Sequence, residues 1–198
     1  MSPTKKEQTA ATTALLIDIA RSMFTEQGYA GIGLEDLAAR ADVTRGAIYH
    51  HFRSKQGLFE AVLDTVQADI ASAIEIAAQA FTDPWDQLVA GCHAFLEAAC
   101  QPSARRIMLI DGPAVLGWQR WRELDAIHSG QLLEAVLGDL AGIGALEPRL
   151  VSASAAMLSG AMNEAALWLA RADVSPEDAA AAHETLDRLL RSILGGDS

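Results

Sequence analysis

The sequence predicts an all-α chain, with a three-helix domain at the N-terminus joined by one long helix to a larger helical domain. Three observations predict it. Alanine is abundant and alternating β-branched runs are few, a balance that favours helix over strand. Apolar residues recur at three- and four-residue spacing through most of the chain, the period of a half-buried helix. Finally, two short helical patterns, Leu34 to Ala41 and Thr44 to His51, are separated by room for only a tight turn, which is a helix-turn-helix arrangement. At 198 residues with 51% hydrophobic and 21% charged content, the chain can bury real cores and is not disordered.

Taken in order, the first dozen residues read as a mobile arm, in which Lys5 and Lys6 suit either a phosphate backbone or a solvated tail. A helix from about Thr12 to Gln27 follows, with Leu16, Ile19, Ala20, Met23 and Phe24 on one face and Gly28 as its stop. Leu34, Leu37, Ala38 and Ala41 form the inner stripe of the next helix, and Val43 in the turn plugs the same core.

The helix after that turn has the chemistry of a DNA reader. Thr44 caps its N-terminus with a hydroxyl, where free N–H groups favour a phosphate. Arg45 stands where a guanidinium reaches base edges and can donate two hydrogen bonds to guanine. Gly46 and Ala47 keep the face low, and the Ala47 methyl suits a thymine methyl. Tyr49, His50 and His51 carry polar tips on flat bodies, suited to phosphate oxygens beside the groove, while Phe52 points inward. The partner these residues imply is double-stranded DNA.

Ser54 caps a long helix in which Phe59, Val62, Leu63, Val66, Ile70, Ala73, Ile74 and Ala77 keep one apolar face. Lys55 in its first turn opposes the helix dipole, so it is either a phosphate contact or an ordinary surface lysine. The domain boundary is placed here, dividing residues 1–53 from residues 54–198. Asp83-Pro84 opens the next helix, lined by Leu88, Cys92, Phe95, Leu96 and Ala99. A short helix from Ala104 to Ile110 stops at Asp111-Gly112-Pro113, and Trp118 and Trp121 lead into a helix ending near Gly138 to Gly144.

The last two helices read as a pair. One, from about Arg149 to Arg171, shows Leu150, Ser154, Met157, Leu158, Ala161 and Ala165 on one side; the other opens with Ser175-Pro176-Glu177-Asp178 and carries Leu186, Leu189, Leu190, Ile193 and Leu194 before Gly195. Small residues permit close approach, either in a two-fold dimer of four helices or in packing within one subunit. A helix-turn-helix reader needs two copies for a two-part site, which favours the homodimer.

The net charge of -11 is at odds with DNA binding until it is divided along the chain. Residues 1–55 hold seven Lys and Arg against six Asp and Glu, so the acidity belongs to the remainder and would face away from DNA. Cys92 and Cys100, eight positions apart on one helix, are too distant for a disulfide and suit a reducing cytoplasm. The polar N-terminus is no signal peptide, and Asn163 and Glu164 interrupt the most membrane-like run, Leu150 to Ala170. His93 with Glu97, and Asp125 with His128, each have the spacing of two metal ligands or a carboxylate-oriented base, but neither pair has a visible third partner. With no HExxH, P-loop or GxSxG, the sequence gives no catalytic residues, metal site or cofactor.

The stretch Phe24 to Phe59, FTEQGYAGIGLEDLAARADVTRGAIYHHFRSKQGLF, resembles the DNA-binding domain of the tetracycline-repressor (TetR) family of bacterial transcription regulators, and the rest of the chain matches that family in layout. The resemblance implies a homodimeric repressor on a near-palindromic operator, released by a small-molecule effector. It makes Arg45, Gly46 and Ala47 base-facing, Tyr49, His50 and Lys55 backbone clamps, and the C-terminal domain an effector pocket and dimer interface. Phe95, Met108, Trp118, Trp121, His128, Asn163 and Trp168 are the expected pocket residues, combining apolar walls with a few polar groups. Asn163 and Glu164 would orient a ligand or bond across the dimer.

The chain departs from the family pattern in three ways. Gly33 lacks the usual cap hydroxyl, Glu35 and Asp36 would repel phosphates or, for Glu35, accept from a cytosine amino group, and Asp42 replaces a turn glycine, which Asp tolerates. The first two leave a second reading open, a helical ligand- or protein-binding module that has lost DNA recognition.

Overall fold

The computed structural model describes residues 4–171 and 174–193, and the regular elements among them are all helical. Two compact units form. The first takes in the chain to Val66 and returns for Pro102–Trp121; the second comprises Gln67–Gln101 and the chain from Arg122.

In the first unit, α1 (Lys5–Gln27) begins earlier than expected. The expected mobile arm is helical from Lys5, because the Thr4 hydroxyl accepts from the Glu7 N–H and the Glu7 carboxylate accepts from the Thr4 N–H at 2.6 Å. Such a reciprocal cap satisfies the orphan donors of a first turn whose sequence has no apolar stripe. The arm's residues before Thr4 lie outside the described residues. Leu16, Ala20 and Phe24 of α1 are buried, and α2 (Leu34–Arg40), α3 (Arg45–Phe52) and the first half of α4 (Lys55–Ala78) follow it in the same unit. Phe24 and Phe59 meet edge to face at 5.3 Å between centroids, and Tyr29 meets Phe59 at 5.2 Å, a geometry that aromatic quadrupoles favour.

The segment returning to this unit starts with a π-helical stretch, Ala104–Asp111, continues as α6 (Gly112–Leu116) and enters α7 (Trp118–Asp125). It locks onto the α1–α2 turn: Asp111 accepts from the Tyr29 N–H at 2.8 Å and from Arg106 Nε at 3.2 Å. Gly28 adopts φ 72°, a backbone conformation that favours glycine, and the Arg106 guanidinium lies against it where a Cβ would project.

The second unit packs α5 (Pro84–Ala99) against α8 (Gln131–Gly142) and α9 (Val151–Leu169), with α10 (Pro176–Ile193) on α9 and α5. The expected caps form: Asp83 accepts from the Trp85 and Asp86 N–H groups, and Ser175 and Asp178 close a reciprocal cap on α10. Leu88, Cys92, Phe95, Leu96 and Ala99 of α5 are buried as their spacing predicts. Along α9 the buried set is Leu158, Ser159, Met162, Asn163 and Ala166, while Met157 and Ala161 are exposed. The expected stripe had therefore mixed two faces, because on a helix of small residues hydrophobicity does not mark which side is covered. The expected end of α10 at Leu194 and Gly195 lies outside the described residues. Among the described residues, no helix is long and apolar enough to cross a membrane.

Candidate nucleic-acid interface and ligand cavity

The tight turn between α2 and α3 depends on Asp42, which adopts φ 52°, a left-handed conformation open to Asp. The Val43 N–H then bonds to the Ala38 carbonyl at 3.0 Å. Thr44 caps α3 as expected, its hydroxyl accepting from the Ala47 N–H at 3.2 Å. Ile48 is fully buried, which turns the opposite side of this two-turn helix to solvent. That side presents Arg45, Gly46, Tyr49 and His50, with Tyr49 61% exposed. α3 ends at Arg53, which takes the left-handed φ of 64° usual for glycine.

Two sequence-marked side chains have partners within this unit. The His51 ring bonds to the Thr13 hydroxyl at 2.9 Å, tying α3 to α1. Lys55 donates to the Tyr29 carbonyl and lies over the Tyr29 ring at 4.1 Å; burial holds its ammonium below the usual lysine range, partly offset by the charge of Asp111. Lys5 and Lys6 are exposed on the first turn of α1.

Arg45 is not free-floating. Its Nη1 donates to Glu35 Oε1 at 2.6 Å, although both side chains are about two-thirds exposed. Glu35 was marked as a phosphate repeller or a cytosine acceptor; its position adds a third part, holding one edge of the guanidinium. Asp36 accepts from the Gly33 N–H at 2.8 Å, which is one half of a reciprocal cap; the half that a hydroxyl at position 33 would supply is missing.

The second unit contains a cavity of about 200 Å³ lined by the end of α4, by α5, by a π-helical turn at Ala126–Gly130 that joins α7 to α8, by α8 and by α9. Ile74, Leu88, Phe95, Leu133 and Met162 supply apolar wall. Asp125 lines it while only 3% exposed, and its Oδ2 accepts from Arg122 at 2.9 Å and from Ser159 at 3.2 Å. Burial raises the Asp125 carboxyl above the ordinary range, opposed by Arg122, the Ser159 hydrogen bond and His128. Cys92, also on the wall, is pushed up to about 12 by burial, so it is a neutral, inert thiol.

Of the residues expected around a ligand, Phe95 lines this cavity and Trp168 lines a shallower groove between α9 and α10. Met108 and Trp121 are buried in the first unit, where Trp121 Nε1 donates to the Met108 carbonyl at 2.8 Å, and Trp118 is 68% exposed beside Trp121. His128 is half-buried on the π turn. Asn163 is buried, and neither amide atom has a hydrogen-bond partner among the described residues. Sequence reading missed Asp125, Ser129 and Asp139 as a wall, because it weighed Asp125 only as a partner of His128. His93, paired in sequence with Glu97, turns instead to His183 at 2.6 Å and Asp187 at 2.7 Å. Among the described residues no group of three or more His, Cys, Asp or Glu side chains could hold a metal ion.

These two regions coincide with two matches to known families. A family described as bacterial regulatory proteins, tetR family, matches residues 16–62, and one described as tetracyclin repressor-like, C-terminal domain, matches residues 85–193. The crystal structure of a TetR-family transcriptional regulator from Pectobacterium atrosepticum superposes with a TM-score of 0.80 at 31% identity, covering 99% of this chain and 100% of that one. The transposon Tn10 TetC protein of Escherichia coli is 24% identical over 140 residues, 69% of this chain and 68% of its own length. The transcriptional regulator AcrR of Shigella flexneri is 30% identical over 110 residues, 55% of this chain and 51% of its own. With a helix-turn-helix of the required geometry, and with family matches over both units, the chain belongs to the TetR family of bacterial transcriptional regulators.

Proposed function

We propose that the chain is one subunit of a cytoplasmic homodimeric repressor, which holds a near-palindromic operator through α3 of each copy and releases it when a small molecule enters the second unit. The observation that carries this reading is the outward face of α3, where Arg45, Gly46, Tyr49 and His50 stand clear of the core. Arg45 and the low surface of Gly46 and Ala47 read base edges; Thr44, Tyr49 and His50, with Lys5 and Lys6, meet phosphates, while His51 braces α3 against α1 through Thr13. The dimer is supported by apolar side chains left exposed on the last two helices, Met157 at 76%, Trp168 at 37% and Leu189 at 45%. Paired about a two-fold axis, α9 and α10 would cover them.

The cavity is the effector site in this reading. One helix, α4, supplies Lys55 at its start and the wall residues Ile74, Glu75 and Ala78 at its end. A ligand moves the readers off their spacing if it binds the released state more tightly, and swinging the balance from 1:99 to 99:1 takes about 5.5 kcal/mol of preference. Selection of purified protein on random-sequence duplexes tests the operator. Enrichment of an inverted repeat with half-sites one or more helical turns apart is expected; no enriched repeat would overturn the assignment.

A further inference from the structure

We propose that the cavity selects an apolar cation, a molecule with one ring or a short chain for a body and an ammonium-type charge at one end. This rests on the reading of the cavity as the effector site. Its size sets the body: an apolar protein cavity of about 150 Å³ holds benzene, and this one is about 200 Å³. Leu88, Phe95, Leu133 and Met162 give that body a dry wall.

The charge follows from what the wall contains and what it lacks. Three carboxylates line the cavity, Glu75 from α4, Asp125 from the end of α7 and Asp139 from α8, and no Lys or Arg lies among the lining residues. Asp125, at the buried end, is already compensated by Arg122 and Ser159. It offers hydrogen bonding there and no uncompensated charge. Glu75 and Asp139 differ from it: both are exposed, so they stand at the mouth, and among the described residues neither has an ion-pair partner.

The surroundings reinforce the same sign. The second unit holds seventeen Asp and Glu against five Arg, and it has no lysine. Its summed field draws cations toward the mouth and repels anions. An anionic ligand would meet carboxylates with no basic side chain on the wall to receive it, whereas a cation with the same body finds two partners from different helices.

The test is calorimetric titration of the full chain, at low salt, with three probes that share a body: 4-phenylbutylamine, 4-phenylbutanol and 4-phenylbutyrate. The amine is expected to bind tightest and the acid weakest, with at least about a tenfold gap between them that narrows as salt rises. In the double variant Glu75→Gln/Asp139→Asn the amine should fall to the level of the alcohol while the alcohol is unchanged. Equal affinity for amine and acid, or an amine advantage that survives the double variant, overturns the proposal. Val136→Trp, which fills the cavity from α8, separates the two readings, its fold checked by thermal melting. Loss of binding by all three probes in this variant is expected. Binding that survives it, or three probes that never bind the unaltered chain at millimolar concentration, overturns the cavity as the effector site.

Discussion

The two units differ most in how they carry charge. The first holds ten Lys and Arg against nine Asp and Glu, among them all three lysines of the chain, whereas the second holds five against seventeen. A net charge of -11 thus describes neither part. Charge decides partners only when assigned to a surface: a near-neutral unit can approach a phosphate backbone if its cations share a face, and an acidic one repels it. Among the described residues, the second unit also buries two amides, Gln67 and Asn163, with no hydrogen-bond partner, whereas in the first the Asp111 carboxylate is occupied by the Tyr29 turn.

The comparison can be broken most severely at Phe24, fully buried between Tyr29 and Phe59. Phe24→Ala should destabilise the first unit by about 3–5 kcal/mol and abolish operator binding. Chemical denaturation should show the loss, and a midpoint unchanged from wild type would mean that the aromatic trio contributes little.

Next comes the reading surface. Arg45→Ala should lose about 1–3 kcal/mol on the enriched operator and relax one base preference, with cavity binding untouched. Glu35→Ala should broaden preference at the same base pair while raising affinity for all duplexes, since it frees the guanidinium and removes an acid from the DNA face. If selection with the two variants affects different base pairs, the ion pair has no part in reading.

The unpartnered amides give an opposite sign. Replacing Gln67 or Asn163 with Leu should raise stability by about 1 kcal/mol or more, because an unsatisfied buried amide is removed. Both Asn163 amide atoms are buried within the subunit, which rules out the expected bond across the dimer; a fall for Asn163→Leu on thermal melting would show that the amide is satisfied inside the fold.

Asp125 makes the contrast depend on pH. Its folded carboxyl titrates above the unfolded value of 3.8, chiefly through burial. The folded state therefore binds the proton more readily, and this group's contribution to stability is greatest below that value and declines as pH rises through the folded one. Asp125→Asn should gain on wild type between pH 4 and pH 7. A constant difference across that range would show that Arg122 cancels the burial.

The smallest effect separates two roles for Lys55. Lys55→Met should lower melting slightly through loss of the Tyr29 contacts and leave the salt dependence of DNA binding unchanged. A salt slope reduced by about one unit would assign the amine to a phosphate.

The helix-turn-helix was legible because its determinants are local. Leu37, Ala38 and Ala41 lie within one stripe, Thr44 caps the helix it precedes, and Asp42 supplies the turn. The start of α1 was hidden, since the Thr4–Glu7 cap precedes a run of Thr, Ala and Gln with no apolar period. The return of Pro102–Trp121 to the first unit was beyond reach for another reason. Its anchor joins Asp111 to Tyr29 across 82 positions, and no periodicity records a contact between segments. The cavity wall was hidden similarly: the π turn at Ala126–Gly130 breaks the 3.6-residue phase, so which side chains of α8 share a face with Asp125 is unreadable from spacing.

The confinement of lysine to the first unit, at Lys5, Lys6 and Lys55, makes the molecule self-labelling for amine chemistry. An amine-selective acylating reagent finds no lysine side chain in the acidic unit, so stable lysine modification with and without duplex becomes a footprint of the reading unit alone. Lys5 and Lys6, exposed on α1, would be the positions shielded by a bound phosphate backbone, with Lys55, seated on Tyr29, as the internal reference.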